Sequence, residues 1–87
     1  MAIVRFPQAQ LYDSVREIVI FTAYVGEENI SISISLGALQ DHFQGNIHKP
    51  LKAFICNRPA IERITELLIS QRRFETDGSV LIRTADC

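Results

Sequence analysis

Residues 16–35 read Arg16-Glu17-Ile18-Val19-Ile20-Phe21-Thr22-Ala23-Tyr24-Val25-Gly26-Glu27-Glu28-Asn29-Ile30-Ser31-Ile32-Ser33-Ile34-Ser35. β-branched and aromatic side chains fill 16–25, a composition that favours an extended chain. One face of that strand carries Glu17, Val19, Phe21, Ala23 and Val25, and the other Ile18, Ile20, Thr22 and Tyr24. Both are apolar, so the strand is expected to be central or to have its second face covered. Gly26 to Asn29 supplies a turn, with Gly and Asn available for positive φ. Residues 30–35 then alternate Ile with Ser, the period-2 pattern of a strand with one buried and one small, wet face. Together the two segments predict a β-hairpin.

Outward from the hairpin the periodicity changes. Ser35 is a good helix N-cap, and Leu36, Leu39 and Phe43 form the stripe of a short helix that Gly45 ends. After a connection over 46–50, a longer helical segment runs from Leu51 to Arg72. Its apolar residues Leu51, Phe54, Ile55, Ile61, Ile64, Leu67 and Leu68 fall on one face. Pro59 lacks the N–H that would bond the carbonyl of Ile55. Either the helix kinks there, or it restarts with Asn57 or Arg58 as N-cap; the stripe keeps phase across the proline, which favours one kinked helix. Thr76-Asp77-Gly78 signals a turn. Ser79 to Thr84 is a last strand, with Val80 and Ile82 on one face and Leu81 and Arg83 on the other. Upstream, Ile3 to Phe6 reads as a short strand stopped by Pro7, and Gln8 to Ser14 as a loop. The expected class is α+β: a single-layer sheet of N-terminal hairpin plus C-terminal strand, packed on one side by a short and a longer helix. At 87 residues the chain is expected to form one domain over 1–87.

The composition, 47% hydrophobic and 22% charged, argues against disorder. The longest apolar run, Ile18 to Phe21, is far too short for a membrane span. With no secretory pattern at residues 1–7 and only Cys56 and Cys87, the expectation is a cytoplasmic protein with reduced thiols. Net charge is −1, which excludes a strongly basic nucleic-acid binder. Yet Lys49, Lys52, Arg58, Arg63, Arg72 and Arg73 cluster in sequence over 45–74 against only Glu62 and Glu66. The plain expectation is that this basic segment complements an acidic sheet edge; the sharper one is a face for an anionic partner.

No constellation carries chemistry. Cys56 is expected to be structural, because Arg58 is its only nearby activator in sequence. His42 and His48, with Asp41 and Asp86, lack the i, i+3 or i, i+4 spacing of a helix-borne metal pair. The serines 31, 33 and 35 have no base beside them, and Glu62 with Glu66 reads as a solvated helix face. No phosphate-binding motif is present. No cofactor, metal or catalytic residue is therefore expected.

Several stretches nonetheless resemble a known pattern: Phe6-Pro7, Val19-x-Phe21, Ile34-Ser35-x-x-Ala38-Leu39 leading into Phe43, Ala53-Phe54-x-x-Asn57-Arg58-x-x-Ile61-Glu62, and Asp77 through Asp86. They resemble the small bacterial family catalogued as domain of unknown function 1488, and the likeness covers nearly the whole chain. Pro59 departs from the family pattern, where an ordinary helix former is expected. The resemblance implies a bacterial, cytoplasmic setting and no chemistry.

Three functional readings follow. The favoured one is a small interaction or regulatory module, as a homodimer or with another protein, using Ile18, Ile20 and Tyr24 as its partner face. The second is nucleic-acid or anionic-partner binding through Lys49, Lys52, Arg58, Arg63, Arg72 and Arg73; exposed strand aromatics for base stacking are lacking. The least favoured is an enzyme, which needs a pocket uniting Cys56 or a carboxylate with His42 or His48.

Overall fold

The hairpin is the centre of the fold. In the computed structural model, which describes residues 4–43 and 49–84 and the side chains of these except 41–43, β3 (Ile18–Val25) pairs antiparallel with β4 (Glu28–Ser35) along its whole length. The turn is tighter than the sequence suggests. Val25 pairs with Glu28, leaving Gly26 and Glu27 as a two-residue turn. Gly26 has φ +63° and Glu27 has no positive φ, the pattern of a type II′ hairpin turn.

β1 (Val4–Arg5) and β2 (Gln10–Asp13) both pair with the free edge of β3, so that β3 is central. The expected loop over Gln8 to Ser14 is thus largely a strand. Its sequence lacks β-branched residues, and the ladder to β3 overrides that weak propensity. The break between β1 and β2 contains Pro7, which has no N–H to give a ladder. β5 (Val80–Ile82) joins the far edge, parallel to β4, with Ile32 opposite Val80 and Ile34 opposite Ile82. Parallel pairing requires a long crossover, and α1 (Leu36–Phe43), α2 (Pro50–Cys56) and α3 (Arg58–Ser70) supply it.

One face of the sheet takes all the helices. Val19, Phe21, Ala23, Ile30, Ile32, Ile34, Val80 and Ile82 are buried against Ala38 and Leu39 of α1, Phe54 of α2, and Ile61 and Leu68 of α3. The Phe21 and Phe54 rings lie 4.9 Å apart in a tilted pair at the middle of this layer. The Ser35 hydroxyl accepts a hydrogen bond from the Ala38 N–H at 3.1 Å, the N-cap that the sequence calls for. The Leu36 N–H bonds the Glu17 carbonyl at 2.9 Å, which anchors the start of α1 to the β2–β3 turn.

The long helical segment is split, not kinked. Asn57 stands outside helical geometry at φ −112°, ψ 12°, between α2 and α3, with Pro59 in the first turn of α3. The Asn57 N–H and Nδ2 both return to the Ala53 carbonyl, and its own carbonyl accepts the Ile61 N–H. The missing proline N–H is placed where a helix start needs none. The split also breaks the single apolar stripe. α3 buries Ile61, Thr65 and Leu68, whereas Ile55 and Leu67 are 52% and 55% exposed. Thr65 takes the middle of that face by bonding its hydroxyl to the Ile61 carbonyl at 2.8 Å.

At the other end of α3, Arg72 has φ +54°. Its N–H bonds the Ile69 carbonyl, and the Arg73 N–H bonds the Leu68 carbonyl. This is a Schellman cap with arginine where glycine is the usual residue. Replacing Arg72 by Gly removes the Cβ conflict of the left-handed conformation. Arg72→Gly should raise the unfolding free energy by roughly 0.5–1 kcal/mol in urea titration; a loss of stability would contradict the cap.

Candidate interaction face

The opposite face of the sheet is left uncovered by the three helices. Alternation along β3 and β4 brings Ile18, Ile20, Thr22 and Tyr24 to it beside Ser31, Ser33 and Ser35. The strand registers extend these into rows. Leu11 of β2 is opposite Ile20, Ile20 opposite Ser33, and Ser33 opposite Leu81 of β5, so that one row crosses four strands. Leu11 is 64% exposed at its edge.

A groove of about 270 Å³ lies on this face, with Ile20, Ser31 and Ser33 on its floor. Asn29 of β4, Arg16 from the β2–β3 turn, and Asp77, Gly78 and Ser79 from the loop before β5 complete its lining, so that most of it is polar. The serines make the floor low. An adjoining hollow over Ile18 and Leu81 shares Arg16, Asp77 and Ser79. Tyr24 lies apart, in a shallow hollow with Arg5, Phe6 and Pro7. The three residues expected at a partner face thus share the open face: Ile20 lines the groove and Ile18 the adjoining hollow, while Tyr24 lies beyond Thr22 on the same strand, opposite Asn29 of the groove lining. Leu11 and Leu81 belong to the same rows. They were missed because Leu11 sits in the segment read as a loop, and the partner of β5 is not legible from its neighbours in sequence.

Two carboxylates hold the loops at the rim. Asp13 accepts hydrogen bonds from Arg16 Nε at 2.9 Å and from the Val15 and Arg16 N–H groups. The Arg16 side chain does most to hold its pKa below the ordinary aspartate range. Asp77 accepts from the Ser79 hydroxyl at 2.6 Å and the Ser79 N–H at 3.0 Å, and the hydroxyl is the main cause of its lowered pKa. Both turns are therefore favoured by ionisation above the ordinary aspartate pKa and lose that support as pH falls through the lowered values. NMR titration should place both carboxyls below an aspartate in a random-coil peptide; normal titration would show that these bonds do not persist in solution.

The basic residues do not form one surface around α3. Arg58 is turned inward and only 14% exposed at its side chain. It donates to Glu62 at 2.7 Å, to Gln10 Oε1 at 2.8 Å and to the Pro7 carbonyl, and its guanidinium lies 5.5 Å from the centre of the Phe54 ring. It thus ties the α2–α3 junction to the break between β1 and β2, through neutral oxygens of that segment and not through acidic ones. Arg63, five residues on, is exposed and points about 140° away around the helix. Arg72 and Arg73 follow the far end of α3, about 20 Å along its axis. Lys49 and Lys52 are exposed at the start of α2. Arg58→Ala should cost about 2–3 kcal/mol of stability, because Glu62 and the Pro7 carbonyl lose a charged donor; a chemical-denaturation change under 0.5 kcal/mol would contradict this.

Cys56 is an exposed free thiol at the end of α2. No group of three His, Cys, Asp or Glu side chains suited to a metal occurs among the described residues. His48, Asp86 and Cys87, Gly45 as a helix terminator, and the side chains of Asp41, His42 and Phe43 lie outside what is described. No helix among the described residues is long and apolar enough to cross a membrane.

A family model described as a protein of unknown function, DUF1488, matches residues 4–82. The fold is similar to the crystal structure of a protein of unknown function from the DUF1488 family of Shewanella loihica PV-4, with a TM-score of 0.81 and 24% identity. The likeness covers 91% of this chain and 90% of that one. No curated protein matches.

Proposed function

The chain belongs to the DUF1488 family of proteins of unknown function, and from that premise we propose that it is a small bacterial cytoplasmic interaction module that pairs with a second copy of itself through the open face of its sheet. The observation that carries this reading is the row of Leu11, Ile20, Ser33 and Leu81 across four strands on a face that no helix among the described residues covers. Apolar residues gathered on one sheet face signify a docking surface more often than scattered ones do.

The four strands of the row hold 4, 8, 8 and 3 residues and present a footprint of roughly 370 Å² before side-chain relief is counted. This is less than the about 600 Å² per partner that specific dimers at the small end bury, so a pair formed on this face would be a weak one. A domain of this size also has little core of its own, and pairing adds burial. The exposed Cys56 thiol fits a reducing compartment.

An anionic partner on the basic segment has weaker support, since Arg58 is committed to Glu62, Gln10 and Pro7. Its signature is binding that weakens steeply with salt.

Light scattering coupled to size exclusion should find a dimer at tens of micromolar. Ile20→Glu places an unpaired charge in the middle of the face and should weaken association by on the order of 100-fold, equivalent to about 2.7 kcal/mol. Its unfolding midpoint as a monomer should stay close to that of the parent, because Ile20 is outside the core. A parent protein that remains monomeric at several hundred micromolar sinks the proposal.

A further inference from the structure

The groove on the open face is lined by polar groups that the fold leaves unspent. Arg16 gives its Nε to Asp13 at 2.9 Å, and its two terminal nitrogens meet no acceptor among the described residues. The hydroxyls of Ser31 and Ser33 and the carboxamide of Asn29 make no hydrogen bond to any described residue either. Asp77 gives Oδ1 to the Ser79 hydroxyl and N–H and keeps Oδ2. We infer that this groove binds a small zwitterion of dipeptide size, Arg16 taking its carboxylate and Asp77 its ammonium group. The inference goes beyond the homodimer reading and does not rest on it.

Charge decides the class of ligand. A plain anion in the groove would meet Asp77 as well as Arg16, whose charge Asp13 already offsets. A plain cation would meet the guanidinium. A ligand with both charges is matched at each end. The two residues enter from opposite flanks, Arg16 from the β2–β3 turn and Asp77 from the loop before β5, with β3 and β4 as the floor between them. The serine hydroxyls and the Asn29 carboxamide both donate and accept, as the N–H and carbonyl of a peptide bond require. At about 270 Å³ the groove is near the lower end of small-molecule sites, roughly 300–1,000 Å³. Two residues of extended chain span about 7 Å. The guanidinium is also held before any ligand arrives. Asp13 fixes the front of its turn, and Glu17, at φ +55°, fixes the back by accepting the Leu36 N–H at 2.9 Å. Little ordering is left to oppose binding.

The probe is alanylalanine with free termini, titrated into the full chain on a sample dilute enough to be monomeric and followed by amide NMR shifts. Saturable shifts should centre on Asn29, Ser31, Ser33 and Ser79. N-acetylation and C-amidation of the probe should each weaken binding about 5-fold, the scale of one exposed charge pair. Arg16→Gln should abolish the penalty for amidation and keep that for acetylation; Asp77→Asn, which can still accept from Ser79, should do the reverse. A merely structural role for either residue would not separate the two penalties. No saturable shift at tens of millimolar probe, shifts centred elsewhere, capped probes that bind as well as the free one, or variants that lose both penalties together each overturn the proposal.

Discussion

Everything in this molecule depends on the two-residue period of the β3–β4 ladder. Ile30, Ile32 and Ile34 are buried and the serines between them face outward. A slip of one residue would exchange the two sets. At about 1.5–3 kcal/mol for each buried Ile side chain, three isoleucines moved to solvent cost roughly 5–9 kcal/mol. That is comparable to the whole stability of a small domain. Gly26, at φ +63° in a two-residue turn, holds the same register from the other side. The buried face of the hairpin then dictates where the helices pack, and β5 extends that face by adding Val80 and Ile82.

The second constraint is the junction at residues 57–59. A helix through Pro59 would leave the Ile55 carbonyl without its partner and crowd the ring against it. Separating α2 from α3 at Asn57 removes the conflict and lets each short helix choose its own buried face. The consequence is visible in the side chains: Phe54 and Ile61 are buried on either side of the break, while Ile55 turns outward. Arg58, the first residue of α3, then lies where its guanidinium can reach Pro7 and Gln10 as well as Glu62. The charge that seemed in the sequence to belong to a surface patch is spent in joining the helices to the N-terminal strands.

The legible parts of the fold were those written as strong local periods. The Ile-Ser alternation, the two faces of β3, the Ser35 cap and the Thr76–Gly78 turn are all local signals of this kind. β2 was not legible because Gln10-Leu11-Tyr12-Asp13 has little strand character and is extended only by pairing with β3. The split of the long helix was an open alternative that helical phase could not decide, since phase is insensitive to one residue leaving helical geometry. On the open face of the sheet, the positions of Ile18 and Ile20 were legible from the doubly apolar strand. Arg16, Asp77 and Leu81 reach it through turns and a parallel crossover, which are long-range facts with no local mark.

The stretches by which the chain resembles its family have structural duties here. Ser35 caps α1, Phe54 packs on Phe21, Asn57 closes the helix break, Arg58 binds the N-terminal strands, and Asp77 with Gly78 forms the turn before β5. Each of these residues has a structural part to play inside the molecule. A pattern of this kind specifies a scaffold, and the open sheet face is where that scaffold has a surface to spare. There the serines that make β4 amphipathic also lower the floor beside Ile20. The alternation that determines the fold thus also shapes the recess on its outer face, and a partner seated there would be recognised by the same period that built the core.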